Sequence, residues 1–91
     1  MRSRYSAYVV QDAAYLSKSW HSSTRPPEID FDPKLRWTGL EILGTTGGTA
    51  FNADGTVEFI ARYTEAGRTA SMRENSFFVR EDGNWVYLRA V

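Results

Sequence analysis

The stretch Ser19–Pro27, SWHSSTRPP, contains the only histidine of the chain and several groups that can assist it. The imidazole of His21 titrates near neutral pH and suits a general base. The guanidinium of Arg25 suits an anionic group of a ligand, which the hydroxyl of Thr24 would help to orient. Together with the indole of Trp20 as an apolar wall, these side chains predict a ligand-binding site. In such a site His21 could also act as a general base.

The same residues also suit a structural role, and the sequence leaves both roles open. A histidine near the end of a helix complements the helix dipole. Serine and threonine hydroxyls in such a segment bond the local backbone. Arg25 can form an ion pair with Glu28 or Asp30. No Ser-His-Asp arrangement can be read from the spacing, so a serine nucleophile is not predicted.

A second candidate lies in the run TASMRENSFFVRE, where Glu74 and Ser76 alternate with Met72 and Phe78. If Phe78 faces the core of a strand, Glu74 and Ser76 face inward with it, although Phe77 equally suits the core. An inward carboxylate is costly unless it is paired. Glu74 is therefore either a satisfied structural charge or a pocket carboxylate that can bind a ligand or act as a base.

Aromatic residues supply candidate pocket walls or core positions, and both interpretations stay open. Tyr5 on the predicted first helix has an apolar ring and a polar tip, which suits either place. Trp37 opens the predicted first strand. Simple alternation puts Trp37 and Glu41 on one face of this strand and Leu40 and Ile42 on the other.

Composition excludes several classes of function. Eleven Lys and Arg balance eleven Asp and Glu, which argues against a protein that holds nucleic acid. The absence of cysteine excludes disulfides and thiolate metal sites, and one histidine excludes a multi-histidine metal site. A site of one histidine with carboxylates is the remaining alternative, but we expect no metal and no cofactor. No run approaches the roughly 20 apolar residues of a membrane span. With no apolar signal sequence, we expect a cytoplasmic protein without a membrane partner.

Two helices are predicted in the first twenty residues, with a bend near Gln11–Asp12 and Asp12 as the N-cap of the second helix. One continuous helix is the alternative. The proline-rich stretch that follows predicts a loop, in which a short third helix near Asp32–Pro33 is a further alternative.

Strand texture follows, in four runs: LRWTGLEILGTT, TVEFIARYTE, TASMRENSFFVRE and NWVYLRAV. Turn residues separate them, with Asp54-Gly55 and Asp82-Gly83 as hairpin signals and a turn at Gly67. The order predicts an α+β fold, a single domain over residues 1–91, in which a four-stranded antiparallel meander curves around the N-terminal helices as a cone.

Five strings resemble the UPF0225 (YchJ-like) family, and specifically its NTF2-like domain: RSRYSAYV, WHSSTRP, RWTGLEIL, GTVEFIARY and FVREDGNWVY. The resemblance implies an NTF2-like cone in a bacterial protein of unassigned activity. Longer members are similar to an NTF2-like domain joined to cysteine-rich SEC-C segments that bind zinc. This chain has no cysteine, so zinc binding is not carried over. It also has MRENS where the family string is similar to LHERS, so Arg73 replaces an expected histidine.

Together these observations predict a module that binds a small ligand or another protein, with a homodimer through the open sheet face. The alternative is a small enzyme of isomerase or hydrolase type that uses His21 or Glu74 as a general base. The predicted pocket residues are Tyr5, Trp20, His21, Thr24, Arg25, Trp37, Glu74 and Ser76.

Overall fold

The computed structural model describes residues 1–91, in which two helices precede four strands. The elements are α1 (Arg2–Val10), α2 (Ala13–Lys18), β1 (Leu35–Gly47), β2 (Asp54–Glu65), β3 (Arg68–Glu81) and β4 (Asn84–Ala90). The strands form one sheet in the order β1-β2-β3-β4, and each neighbouring pair is antiparallel. The predicted α+β class and four-stranded meander are confirmed.

A sharp break separates the two helices at the predicted place. Gln11 has a left-handed backbone with φ of 57°, and this conformation ends α1. The carboxylate of Asp12 then accepts a hydrogen bond from the backbone N–H of Tyr15 at 3.0 Å and caps α2. The prediction of two helices is confirmed, and the continuous helix is excluded. Neither helix has the length and apolar character needed to cross a membrane.

No third helix forms at the prolines. The Asp32 carboxylate accepts a hydrogen bond from the backbone N–H of Lys34 at 2.9 Å, which makes a local turn. The chain then enters β1 at Leu35. The alternative of a short helix near Asp32–Pro33 is therefore wrong, because the aspartate stabilises a turn that leads directly into the sheet.

Two of the three predicted turns are tight hairpins, and the third prediction is wrong. The β2–β3 and β3–β4 connections, at Gly67 and Gly83, each have positive φ at both central residues, as type I′ turns require. Asp54-Gly55, by contrast, lies inside β2. Gly55 is buried, and an added Cβ would lie 2.7 Å from the backbone nitrogen of Gly48. This glycine serves a close approach of two backbones instead of a turn.

Bulges in β1 change the face that its side chains occupy. Trp37 lies opposite Tyr63 of β2, and after a register shift Leu40 lies opposite Ala61. Because Tyr63 and Ala61 are two residues apart, Trp37 and Leu40 share one face of the sheet, and Glu41 is on the other. The prediction that Trp37 and Glu41 share a face is wrong, since simple alternation assumed an unbroken strand.

The core is small. Only nine of the 91 residues are buried, too few to fill the space between the helices and the sheet. The buried apolar residues are Ala7, Leu16, Phe59, Ala61, Phe78 and Val86. Ala7 and Leu16 come from the helices, and Phe59, Ala61 and Phe78 come from the inner face of the sheet, where a cavity remains. Val86 lies opposite Val79 on the other face.

Leu16 holds α2 against this core, and its replacement tests the packing. The side chain is fully buried, so Leu16→Ala should lower the free energy of unfolding by about 2–5 kcal/mol. Val10→Ala is the control, because Val10 is 72% exposed and its change should stay within about 0.5 kcal/mol. Urea unfolding followed by circular dichroism measures both. Equal effects of the two substitutions would contradict the described packing.

Candidate functional site

A cavity of about 300 Å³ lies between the helices and the inner face of the sheet. This volume is at the lower end of the range of roughly 300–1,000 Å³ that is usual for ligand pockets. Twelve residues line it, and nine of them are hydrophobic. They are Met1, Arg4, Tyr5, Tyr8, Trp20, Trp37, Phe59, Ala61, Met72, Glu74, Ser76 and Tyr87.

Arg4 is the cation of this cavity, although only 4% of the residue is exposed. Its Nη1 donates hydrogen bonds to the hydroxyl of Ser19 at 2.6 Å, to the carbonyl of Ser19 at 3.0 Å and to the carbonyl of Leu16 at 3.2 Å. No carboxylate forms an ion pair with it. The charge is therefore compensated only by neutral groups: the acceptors of Leu16 and Ser19 at Nη1, and the phenol of Tyr8.

Two aromatic rings complete the surroundings of this guanidinium. Its carbon lies 4.9 Å from the ring centre of Trp20 and 5.0 Å from that of Tyr87, which is within cation–π range. Burial lowers the pKa of Arg4, and the nearby phenol of Tyr8 opposes that change. The indole nitrogen Nε1 of Trp20 is buried and donates no hydrogen bond. This wall of the cavity thus has an N–H group without an acceptor.

A second aromatic cluster surrounds Trp37. Its ring centre lies 6.3 Å from that of Tyr5, 6.0 Å from that of Tyr8 and 5.5 Å from that of Tyr63, with the planes steeply inclined. Edge-to-face pairs of this kind add to the energy of burial. Trp37 lies opposite Tyr63 on the inner face of the sheet, so that α1 and β1 build one wall of the cavity together.

The carboxylate of the cavity belongs to Glu74. The hydroxyl of Ser76, a residue only 1% exposed, donates a hydrogen bond to Oε2 of Glu74 at 2.7 Å. Both residues lie on the inner face of β3 with Phe78, so the choice between Phe77 and Phe78 that the sequence left open falls to Phe78. No cation forms an ion pair with Glu74. Its hydroxyl partner lowers the cost of placing the charge there but does not neutralise it.

Tyr87 lies close to both charges. Burial raises the pKa of its phenol, and the negative charge of Glu74 raises it further, whereas Arg4 lowers it. Its ring also packs edge-on against Phe78, with the ring centres 5.9 Å apart. Tyr87 therefore links the cationic and anionic parts of the cavity.

His21 lies outside this cavity, in the segment Ser19–Thr24, which we call the edge segment. Its backbone N–H donates to the carbonyl of Tyr87 at 2.8 Å, and the N–H of Tyr87 donates to the carbonyl of Ser19 at 2.8 Å. The ring Nδ1 accepts the backbone N–H of Ser23 at 3.0 Å, and Nε2 lies 3.4 Å from the carboxylate of Glu81. The imidazole thus joins the edge segment to the end of β3.

Thr24 and Arg25 also make local contacts outside the cavity. The hydroxyl of Thr24 donates to the carbonyl of Leu88 at 2.7 Å, and Nη2 of Arg25 donates to the carbonyl of Trp20 at 2.9 Å. Arg25 forms no ion pair with an acidic residue. Their part in ligand binding, like that of His21, stays a prediction that the cavity does not support.

The other five predicted pocket residues meet around one space. Tyr5, Trp20, Trp37, Glu74 and Ser76 all line the cavity, although they come from α1, the edge segment, β1 and β3. Their common position agrees with the pocket predicted beneath the helices.

Arg4, Tyr8 and Tyr87 were not among the predicted pocket residues. Arg4 and Tyr8 are four residues apart in α1, which places them on one helix face with each other. That spacing indicates that the two side chains can reach the same pocket. Arg4 was nevertheless not predicted there, because a charged residue is ordinarily exposed. Tyr87 and Trp85 are two residues apart in β4 and therefore lie on the same face of the strand, and nothing in the sequence indicates which of them reaches the cavity.

Two short helices packed against an open, four-stranded antiparallel sheet, with a cavity between them, are the arrangement of an NTF2-like domain. Residues 1–90 match the family model described as the YchJ middle NTF2-like domain. The chain belongs to this family, and the resemblance seen in its sequence strings is confirmed.

Known relatives extend the comparison. The chain is 57% identical to a UPF0225 protein of Streptomyces avermitilis, over 97% of this chain and 60% of the relative. It is 55% identical to a UPF0225 protein of Streptomyces coelicolor, over 96% of this chain and 67% of the relative. The solution structure of a SEC-C motif containing protein from Rhodopseudomonas palustris is similar, with a TM-score of 0.84 and 30% identity, covering 100% of this chain and 73% of that one. The chain thus spans about two thirds of its relatives' length.

The contact between the edge segment and β3 predicts sensitivity to acid. Hydrogen bonds from the hydroxyl and the backbone N–H of Ser22 lower the pKa of Glu81 below its usual value of 4.5, and His21 and Arg25 lower it further. The stabilisation is therefore complete above pH 4.5 and is lost as the pH falls through the lowered pKa. An NMR titration of the Glu81 carboxyl should give a midpoint below 4.5.

Ser22→Ala provides the comparison, because it removes the hydroxyl donor that acts most strongly on Glu81. The midpoint of the Glu81 titration should then rise towards its usual value. A midpoint that does not change in this variant would show that the contact is absent in solution.

Proposed function

We propose that this domain binds a small organic molecule in the cavity beneath its helices. The observation that carries the proposal is the composition of the cavity wall: aromatic and aliphatic side chains surround a buried guanidinium and a carboxylate. Ligand sites typically combine a mostly apolar lining with a few polar groups that fix orientation. An ordinary gap in packing has no such groups, because burying unpaired charge costs free energy.

The aromatic pairs support a cavity that exists before the ligand binds. Trp37 is held by Tyr5 and Tyr8, while Trp20 packs edge-on against Tyr87 with 5.2 Å between ring centres. Rings that are fixed by their neighbours lose little conformational entropy when a ligand enters. Binding to such a site would need little rearrangement of the fold.

An enzyme that uses Glu74 as a general base is the second candidate. One observation favours it: Glu74 lies in the cavity with a second polar group, the hydroxyl of Ser76, at hydrogen-bond distance. His21 does not satisfy the same condition, since it lies outside the cavity and its ring is engaged by Ser23 and Glu81. An isomerase-type or hydrolase-type reaction would thus depend on Glu74.

Binding can be tested with a neutral aromatic probe, 2-phenylethanol, because the chain has built-in reporters. Trp20 and Trp37 line the cavity and Trp85 does not. In ¹H–¹⁵N NMR spectra, rising probe concentration should shift the indole signals of Trp20 and Trp37 in a saturable way, and the signal of Trp85 should stay in place.

A pair of matched variants controls this test. Ala61→Met places a larger side chain on the cavity wall and should weaken binding at least tenfold, while Ala70→Met makes the same change at an exposed position and should leave it unaltered. Thermal unfolding confirms that both variants fold. Equal shifts at all three tryptophans, or no saturation, would overturn the proposed binding site.

A further inference from the structure

Two opposite charges line the cavity, and neither has a charged partner. Arg4 lies on α1 and Glu74 lies on β3, and the three ion pairs of the structure involve other residues. We infer that the ligand is a small zwitterion with an apolar body, such as an aromatic amino acid, whose anionic group binds Arg4 and whose cationic group binds Glu74. The inference rests on the proposed function and adds the chemical class of the ligand.

The anionic group of the ligand is assigned by the unused donors of Arg4. The hydrogen bonds of the guanidinium to Leu16 and Ser19 all start from Nη1. The edge formed by Nε and Nη2 has no carboxylate partner, and the only other side chain that hydrogen-bonds the guanidinium is the neutral phenol of Tyr8. Such an edge matches a carboxylate, which can accept two parallel hydrogen bonds from a guanidinium. The buried Nε1 of Trp20, beneath the same guanidinium, is a further donor without an acceptor.

The cationic group of the ligand is assigned by the free oxygen of Glu74. Ser76 occupies Oε2, and no hydrogen bond reaches Oε1. Ionised carboxylates have about four acceptor sites, so Glu74 can still accept hydrogen bonds from an ammonium group. Two other carboxylates of the sheet, Glu41 and Glu58, differ from it, since each forms an ion pair with an arginine.

The two charges are close enough to act on one ligand. The guanidinium of Arg4 lies 5.0 Å from the ring centre of Tyr87, and Tyr87 lines the same cavity as Glu74. The cavity of about 300 Å³ spans both residues. An apolar body would lie against the rings of Tyr5 and Trp37, which form part of the remaining wall.

Desolvation explains why a zwitterion fits better than a singly charged molecule. A bound ligand displaces water from both charges of the cavity, and a charge that loses water without gaining a partner raises the free energy of the complex. A simple anion would leave Glu74 unpaired, and a simple cation would leave Arg4 unpaired. Only a molecule with both charges compensates both residues.

Four probes with one apolar body separate these cases. L-phenylalanine has both charges, 3-phenylpropionate has only the carboxylate, 2-phenylethylamine has only the ammonium group, and 2-phenylethanol has neither. Dissociation constants for the unmodified protein can be measured by NMR titration, with the indole signals of Trp20 and Trp37 as reporters. We expect L-phenylalanine to bind at least tenfold more tightly than each of the others.

Glutamate-to-glutamine variants show whether Glu74 causes that preference. In Glu74→Gln, the advantage of L-phenylalanine over 3-phenylpropionate should fall below threefold. Glu58→Gln is the matched control, because Glu58 pairs with Arg73 outside the cavity. In this variant L-phenylalanine should still bind at least tenfold more tightly than 3-phenylpropionate. Arg4→Lys keeps the positive charge and should keep a preference for L-phenylalanine over 2-phenylethylamine, which Arg4→Gln should lose.

The outcomes separate the inference from the proposed function. If 2-phenylethanol binds in the cavity and L-phenylalanine has no advantage over it, the zwitterion is wrong and the binding function stands. If none of the four probes shifts the cavity signals, both are wrong. A preference that survives in Glu74→Gln would also overturn the inference, and thermal unfolding shows that this variant keeps the fold.

Discussion

The arrangement of helices on the sheet depends on the hydrogen bonds of one buried guanidinium. Arg4 on α1 donates to the carbonyls of Leu16 and Ser19 at the end of α2, and so fixes the angle between the helices. Ser19 in turn accepts the backbone N–H of Tyr87 from β4. A charge in this position must keep its acceptors, because losing them would leave a buried ion without compensation. The helix pair, the edge segment and β4 are therefore positioned as one unit.

Much of the fold could be predicted because its signals are local. The cap at Asp12 and the tight turn at Gly83 follow from the chemistry of a few neighbouring residues. Asp54-Gly55 carried the same turn signal and yet lies within a strand, because another backbone approaches Gly55. The bulge after Trp37 likewise depends on pairing with β2, which a single strand does not reveal. Errors arose where a distant part of the chain determines the local conformation.

In the candidate site, too, positions set by local patterns could be predicted and positions set by distant contacts could not. The inward position of Glu74 and Ser76 follows from strand alternation, because one buried residue fixes the orientation of the rest. Arg4 was missed as a pocket residue since its acceptors belong to carbonyls twelve and fifteen residues away, which no local pattern encodes. His21 drew attention through its chemistry, yet its ring binds Ser23 and Glu81 at the sheet edge. Residue types show which side chains could bind a ligand or act as a base. Tertiary contacts determine which of these side chains line the cavity.

The pairing of the edge segment with β4 also affects how copies of this chain can associate. A β-sheet with an open edge can add a strand from another molecule, which leads to filaments or exchanged segments. Here the main chain of Ser19 and His21 occupies hydrogen-bonding groups of Tyr87, so strand addition along β4 is blocked at its centre. Only the β1 side is open to such growth, and its two bulges interrupt the regular spacing that an incoming strand needs. The sheet is thereby protected at one edge by its own chain and at the other by its irregularity.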